Sequence, residues 1–121
     1  MRLEENKPLA PFTTLGIGGP ARWFLTAEDE MQIAEAAAWA HEQGIAVFVL
    51  GGGSNLLVAD AGFDGLVVRV GLRGVEVHSH TGPKICYRAA AGEDWDGFVQ
   101  RSVEDHCAGL ECLAGIPGTV G

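Results

Sequence analysis

The stretch Val47-Phe48-Val49-Leu50-Gly51-Gly52-Gly53-Ser54-Asn55-Leu56-Leu57-Val58 constrains this chain more than any other. Its opening apolar run, with β-branched Val47 and Val49, reads as a buried strand. The run stops at three consecutive glycines and a Ser-Asn pair, then turns apolar again at once. Glycine admits backbone conformations closed to other residues and lets a neighbouring group approach the amides closely. Successive N–H groups in such a turn form a concavity suited to an anion, a common way to hold phosphate without a lysine or arginine. The pattern alone leaves two readings open. One is a tight β-turn between core strands; the other is a phosphate loop to which Ser54 and Asn55 add side-chain donors.

Two standard phosphate loops can be set against these residues. A Walker A loop requires Gly-Lys-Ser/Thr, and Gly53-Ser54-Asn55 has no lysine. A dinucleotide fingerprint requires Gly-x-Gly-x-x-Gly opening a helix, whereas Gly51-Gly52-Gly53 leads into a second strand-like run over Leu56–Ala59. Both fail, and a pyrophosphate loop between strands describes the stretch better.

Upstream, residues 1–20 carry Pro8, Pro11, Gly16, Gly18, Gly19 and Pro20, too many breakers for a regular element, with Phe12–Leu15 a short extended candidate. Ala21–Leu25 is expected as a strand. Thr26 with Asp29 resembles a capping box ahead of a helix over Ala27–Gln43, with Ile33, Ala37 and Ala40 on one face and Gly44 as its stop. Ala46–Leu50 follows, so the two strands are expected to be parallel with a right-handed crossover. Downstream, Leu66–Val70 reads as a buried strand and Val75–His78 as a half-exposed one, with Ser79–Pro83 turning into Ile85–Ala91. A second helix runs from Asp94 to about His106 with Trp95, Phe98, Val99 and Val103 on one face. The chain then enters a second small-residue loop over Leu110–Gly121. The class is α+β or α/β, with short helices on a mixed sheet.

Charge and cysteine content exclude several functions. With a formal net charge of −8, from 16 acidic and 8 basic side chains, the chain is not expected to bind nucleic acid, which depends on clustered Lys and Arg. Arg22, Arg69, Arg73, Lys84, Arg88 and Arg101 are scattered and form no block, and Arg22, Arg69 and Arg88 read as ordinary strand-edge charges. No apolar run is long enough to span a membrane, and the N-terminus lacks a signal-peptide core, so no membrane partner is expected. Cys86, Cys107 and Cys112 then read as reduced thiols in the cytoplasm. His106, Cys107 and Cys112 do not match metal-ligand spacing, and no metal site is expected. His41, His78 and His80 have no neighbouring nucleophile or carboxylate in the pattern and read as surface residues. No acid–base pair or nucleophilic triad can be assembled. A chain without catalytic side chains but with glycine loops suits a cofactor that brings its own reactivity.

Four ordered stretches carry a family resemblance. They are Phe12-Thr13-Thr14-Leu15-Gly16-Ile17-Gly18-Gly19-Pro20-Ala21, Leu50-Gly51-Gly52-Gly53-Ser54-Asn55-Leu56-Leu57, Ala91-Gly92-Glu93-Asp94-Trp95, and the run from Gly109 to Gly121 containing Ile116-Pro117-Gly118-Thr119-Val120-Gly121. Together they resemble the N-terminal, FAD-binding part of the UDP-N-acetylenolpyruvoylglucosamine reductase family, although the family usually has Asn where Thr13 stands. The resemblance implies an FAD-binding domain of the vanillyl-alcohol-oxidase type, made of two small α+β subdomains and incomplete at the C-terminus. It divides the chain into an arm (1–20), a first subdomain (21–70) and the start of a second (71–121). The flavin-binding residues it implies are Leu50, Gly51, Gly52, Gly53, Ser54, Asn55, Leu56, Leu57, Ile116, Pro117, Gly118, Thr119, Val120 and Gly121.

The implied chemistry is an oxidoreductase reaction of peptidoglycan synthesis. NADPH reduces FAD, and the reduced flavin passes hydride to the enolpyruvyl group of a UDP-sugar to give UDP-N-acetylmuramate. The family's catalytic Ser, Glu and Arg follow the Ile-Pro-Gly loop, so no catalytic residue is assigned here and this stretch by itself is expected to be inactive. Another FAD-dependent oxidoreductase of the same superfamily, or a non-catalytic flavin- or nucleotide-binding module, are the alternatives.

Overall fold

A computed structural model describes all 121 residues, Met1–Gly121. The chain forms two compact units, Met1–Gly71 and Leu72–Gly121. No helix in either is long and apolar enough to cross a membrane.

The first unit is a mixed sheet built around its centre. Strands β1 (Glu4–Pro8), β2 (Pro20–Ala27), β3 (Val47–Leu50) and β4 (Phe63–Val70) lie in the order β1-β2-β4-β3, and helix α1 spans Glu30–Gln43. β1 runs antiparallel to β2, while β2 and β3 both run parallel to β4. The strand–helix–strand pair β2 and β3 is thus parallel, as expected, but β4 is inserted between them. Leu66, Val67 and Val68 are buried in succession, because both faces of this central strand are covered. On one face, Leu66 and Val68 pack with Leu25, Ala27, Ala36 and Ala40. The small side chains of Ala36 and Ala40, one helical turn apart, let α1 lie close on the sheet. Trp23 and Trp39 close the edge of this layer with rings 5.5 Å apart in a T-shaped arrangement. On the other face Val67 packs with Leu9, Ala21, Phe24 and Leu50, flanked by Phe12, Leu56, Val58 and Phe63.

Several sequence expectations give way to this packing. Residues 1–20 are not irregular: β1 pairs along β2, and Ala10–Phe12 forms a 3-10 turn with Pro11 inside it. Proline is tolerated there because Pro8 closes an edge strand and Pro11 starts a helical turn. Phe12–Leu15 is accordingly a turn and not an extended segment. α1 begins three residues later than expected, with Asp29 rather than Thr26 as its cap. Thr26 and Ala27 are held in β2 by pairing with Arg69 and Val70, while the Asp29 carboxylate accepts the Gln32 amide at 2.8 Å. The buried helical face uses Ala36, not Ala37. β3 is not a buried strand. It pairs with β4 alone, and Val47, Phe48 and Val49 are exposed, leaving only Leu50 in the core. Leu56–Ala59 is not a strand either. It is an irregular segment whose Leu56 and Val58 fold back under the sheet.

The second unit consists of the hairpin β5 (Val75–Thr81) and β6 (Lys84–Ala89), the helix α2 (Trp95–Glu104) and the loop beyond it. β5 runs on to Thr81, further than expected, while β6 starts one residue earlier and ends at Ala89 rather than Ala91, leaving Gly82-Pro83 as the turn. Asp94 caps α2, accepting the Gly97 amide at 2.8 Å. The helix buries Val99 and Ser102, whereas Val103 is exposed. It stops at Glu104 and the chain turns through His106 at φ 59. The Tyr87 hydroxyl donates to Asp105 at 2.6 Å, which with a Cys107 thiol at 3.4 Å holds the phenol protonated well above its ordinary range. Arg101 packs over the Tyr87 ring at 6.0 Å and donates to the Val75 carbonyl at 2.8 Å.

Leu66 is the most enclosed large aliphatic side chain of β4. Leu66→Ala is expected to lower the unfolding free energy by about 2–5 kcal/mol, read by urea denaturation with tryptophan fluorescence. An unchanged midpoint would show that the core is not centred on this strand.

Candidate functional site

β3 and β4 run side by side, with Leu50 in register with Arg69. Beyond the carboxyl ends of parallel strands is where open α/β sheets hold ligands. Here the chain leaves β3 through Gly51 and Gly52, and Pro11–Thr14 of the N-terminal segment lie opposite. With Arg69 these residues line a cavity of about 220 Å³.

The glycines do different jobs. Gly53 is buried at φ 71, and a Cβ on it would lie 1.9 Å from the Phe12 carbonyl oxygen. Its own carbonyl accepts the Thr14 amide at 3.0 Å. The third glycine therefore exists to let the N-terminal segment lie directly on the loop. Gly52 is exposed and lines the cavity. A second contact repeats the device. The Gly19 amide donates to the Ala59 carbonyl at 2.8 Å, and a Cβ on Gly19 would lie 2.1 Å from the Asp60 carbonyl oxygen. Both ends of the 51–62 connection are thus pinned, backbone against backbone, by residues 12–20. Thr13 fixes the turn between the two contacts. Its hydroxyl donates to the Ala10 carbonyl and accepts the Gly16 amide, each at 3.1 Å. Local bonding of this kind is what a short polar side chain at a turn supplies.

The predicted site residues fall as follows. Leu50 is core, Leu56 is half-buried against it, and Leu57 is exposed. Ser54 is half-buried and Asn55 exposed beside the glycines. Ile116, Pro117, Gly118, Thr119, Val120 and Gly121 belong to the second unit. There the loop is tied to the start of α2. The Trp95 amide donates to the Gly118 carbonyl, the Val120 amide to Glu93 and the Gly121 amide to Ala91, at 2.9–3.1 Å. The Trp95 indole donates to the Leu113 carbonyl at 2.9 Å. Ile116 and Pro117 remain exposed at the tip. Glu111 lies below the usual carboxylate range, because backbone N–H groups, its own first and then that of Gly109 at 2.7 Å, bond its charged form.

Sequence reasoning passed over Arg69. Its guanidinium carbon lies 5.3 Å from the centre of the Phe12 ring, and Phe12 is itself stacked on Phe24 at 4.8 Å. The signal was available: Arg69 interrupts the apolar run of β4 at the carboxyl end, where a strand feeds a site. The cavity is thus lined by two glycines, Thr13, Thr14 and one guanidinium, with no carboxylate among its lining residues. That set suits binding of an anion, and no acid–base pair or nucleophile is among its lining residues.

Comparison with known proteins gives the family of the chain. Residues 21–121 match the family model described as FAD binding domain. The chain is 50 % identical over 113 residues to a UDP-N-acetylenolpyruvoylglucosamine reductase of Saccharopolyspora erythraea, covering 93 % of this chain and 31 % of that protein. It is 44 % identical over its whole length to a protein of the same name from Pseudomonas aeruginosa, covering 35 % of it. Among solved structures, the UDP-N-acetylenolpyruvylglucosamine reductase of Thermus caldophilus superimposes with a TM-score of 0.74 at 33 % identity, over 100 % of this chain and 40 % of that one. The chain therefore spans about a third of the length of the curated relatives it matches.

Gly53→Ala is expected to cost at least about 1–3 kcal/mol, since the methyl meets the Phe12 carbonyl and the backbone is left-handed. A thermal melt checks this, and an unchanged Tm would remove the clamp. In the second unit, the folded pKa of Glu111 lies below its unfolded value. Its contribution is therefore full above the ordinary glutamate range and lost as pH falls through the folded value. The Gly109 amide resonance should accordingly titrate with a midpoint below that of a free glutamate; a midpoint at or above it would contradict the contact.

Proposed function

We propose, from the premise that this chain belongs to the FAD binding domain family, that it is the flavin-holding part of a UDP-N-acetylenolpyruvoylglucosamine reductase. The observation that carries this reading is the cavity at the ends of β3 and β4, walled by Gly51, Gly52, Thr14 and Arg69 and held open by the Gly53 contact. Its size and donor set fit the pyrophosphate portion of a dinucleotide rather than the whole molecule. Gly51, Gly52 and Gly53 would present amides to the phosphates, with Ser54 and Asn55 as side-chain donors and Leu50, Leu56 and Leu57 framing the loop. Ile116, Pro117, Gly118, Thr119, Val120 and Gly121 form the second flavin-contacting loop in this reading, and the units Met1–Gly71 and Leu72–Gly121 are its two subdomains.

FAD, when bound, supplies the two-electron chemistry that carries hydride from NADPH to the enolpyruvyl group of UDP-N-acetylglucosamine enolpyruvate. This chain's own residues bind and orient. The clamp of residues 12–20 on 51–62 holds the loop amides in a preformed arrangement, so little ordering is left to be done on binding. Three free cysteines suit a reducing cytoplasm. The product is a precursor of peptidoglycan.

Titrating FAD into the purified protein, followed by flavin fluorescence, tests the reading. Gly52→Val is expected to weaken flavin binding at least tenfold with little change in Tm, because a branched side chain would stand where phosphate approaches. Undiminished flavin retention in that variant would refute the loop assignment.

A further inference from the structure

We infer that Arg69 is the charge that neutralises the phosphate group held at this loop, and that Phe12 is the plate that aims it. The inference rests on the flavin reading but adds a residue and a mechanism to it, because glycine amides alone supply no net charge. Three observations carry it.

First, Arg69 is unspent. The ion pairs of the chain are Lys7–Glu4, Arg22–Asp64, Arg73–Glu93, Arg88–Glu76 and Arg101–Asp105, and Arg69 is in none. Arg2 and Lys84 are also unpaired, but both are exposed, where water solvates them. Arg69 is half-buried and lines a cavity in a chain of net charge −8. A cation that is partly removed from water, with acidic side chains plentiful and none beside it, is a site awaiting an anion.

Second, it is aimed. The guanidinium lies 5.3 Å from the Phe12 ring centre, and Phe12 is stacked on Phe24, which is only 1 % exposed. The plane that orients the guanidinium is therefore anchored in the core. A guanidinium held over an aromatic ring has N–H groups available for bidentate bonding to phosphate oxygens, which a lysine cannot reproduce. The contrast with Lys7 is instructive. It lies 6.0 Å from the same ring but is paired with Glu4 at 2.6 Å, so it has no charge to spare.

Third, the register places Arg69 directly across from Leu50, the residue before the first glycine. Charge and amides are thus delivered to one spot by two adjacent parallel strands.

The test uses Arg69→Met, which retains an unbranched chain to lie on Phe12, and Arg69→Lys, which retains charge without the planar fork. Affinities of both for FAD, ADP and riboflavin are compared with the parent protein at two salt concentrations. We expect Arg69→Met to lose at least tenfold in affinity for FAD and ADP, with riboflavin binding unchanged and the salt dependence of ADP binding reduced. Arg69→Lys should fall in between, and it carries the test should the Met variant fold poorly. A variant that binds FAD and ADP as tightly as the parent, with the same salt dependence, overturns the role of Arg69 while leaving the flavin reading intact. A parent protein that binds ADP but not FAD or riboflavin overturns the flavin reading, and the Arg69 variants against ADP still decide the charge. A parent that binds none of the three overturns both.

Discussion

The first unit depends on one physical constraint, the direct contact of two backbones with no side chain between them. Phe12 and Thr14 lie against Gly53, and Gly19 lies against the Ala59–Asp60 segment. A long irregular connection between parallel strands is entropically expensive to order, because fixing each residue costs of the order of 1–2 kcal/mol. Hydrogen bonds at both ends, and Leu56 and Val58 inserted under the sheet, offset that cost. The glycines are placed where the approach is closest. Without them the N-terminal segment would stand off by the width of a methyl group, and the cavity between it and Gly51-Gly52 would lose its wall.

That contact also explains why the sheet is arranged as it is. One face of β4 is covered by α1, as the alanine-rich pattern of the helix demands. The other face receives no helix. It is covered by Leu9, Phe12, Leu56 and Val58, the apolar residues of the two segments that clamp each other. The same residues therefore bury the second face of the sheet and shape the site. Phe12 illustrates this economy, since it stacks on the core residue Phe24 and carries Arg69.

Much of this was legible in the residues, and the failures have physical causes. The helices, the hairpin and the stop at Gly44 follow from local chemistry, which acts over a few residues. The caps of both helices lie at aspartates, although α1 starts at Asp29 because β2 keeps Thr26 in its ladder. Strand pairing between distant segments wins there over a local capping preference. β3 was misread as buried because periodicity cannot tell a central strand from an edge strand. That distinction depends on strand order, and β4, later in the chain, takes the central place. β1 was missed because proline and glycine counts signal breakage without saying where the breakers stand. The glycine loop was legible as a break after β3, but the close approach of the N-terminal segment to Gly53 was not. That Arg69 meets no carboxylate was not legible, because the absence of an ion pair is visible only in three dimensions.

The electrostatics of the site follow from the same point. A chain with 16 acidic and 8 basic side chains repels a phosphate at long range. Over more than about 8 Å, however, salt at physiological strength screens most of that repulsion. What a bound phosphate experiences is set by the first few ångströms, and there the balance is reversed. Gly51 and Gly52 line the cavity with no side chain of their own, Arg69 brings a full charge, and no acidic side chain lines it. A half-buried guanidinium beside aromatic carbon acts through a lower dielectric than water, so its attraction at contact outweighs the distant acidic surface. A net charge that argues against nucleic acid, with its long run of phosphates, is thus no obstacle to a single pyrophosphate. An extended polyanion needs a basic surface, whereas a compact one needs one guanidinium held still and a few amides with nothing in front of them.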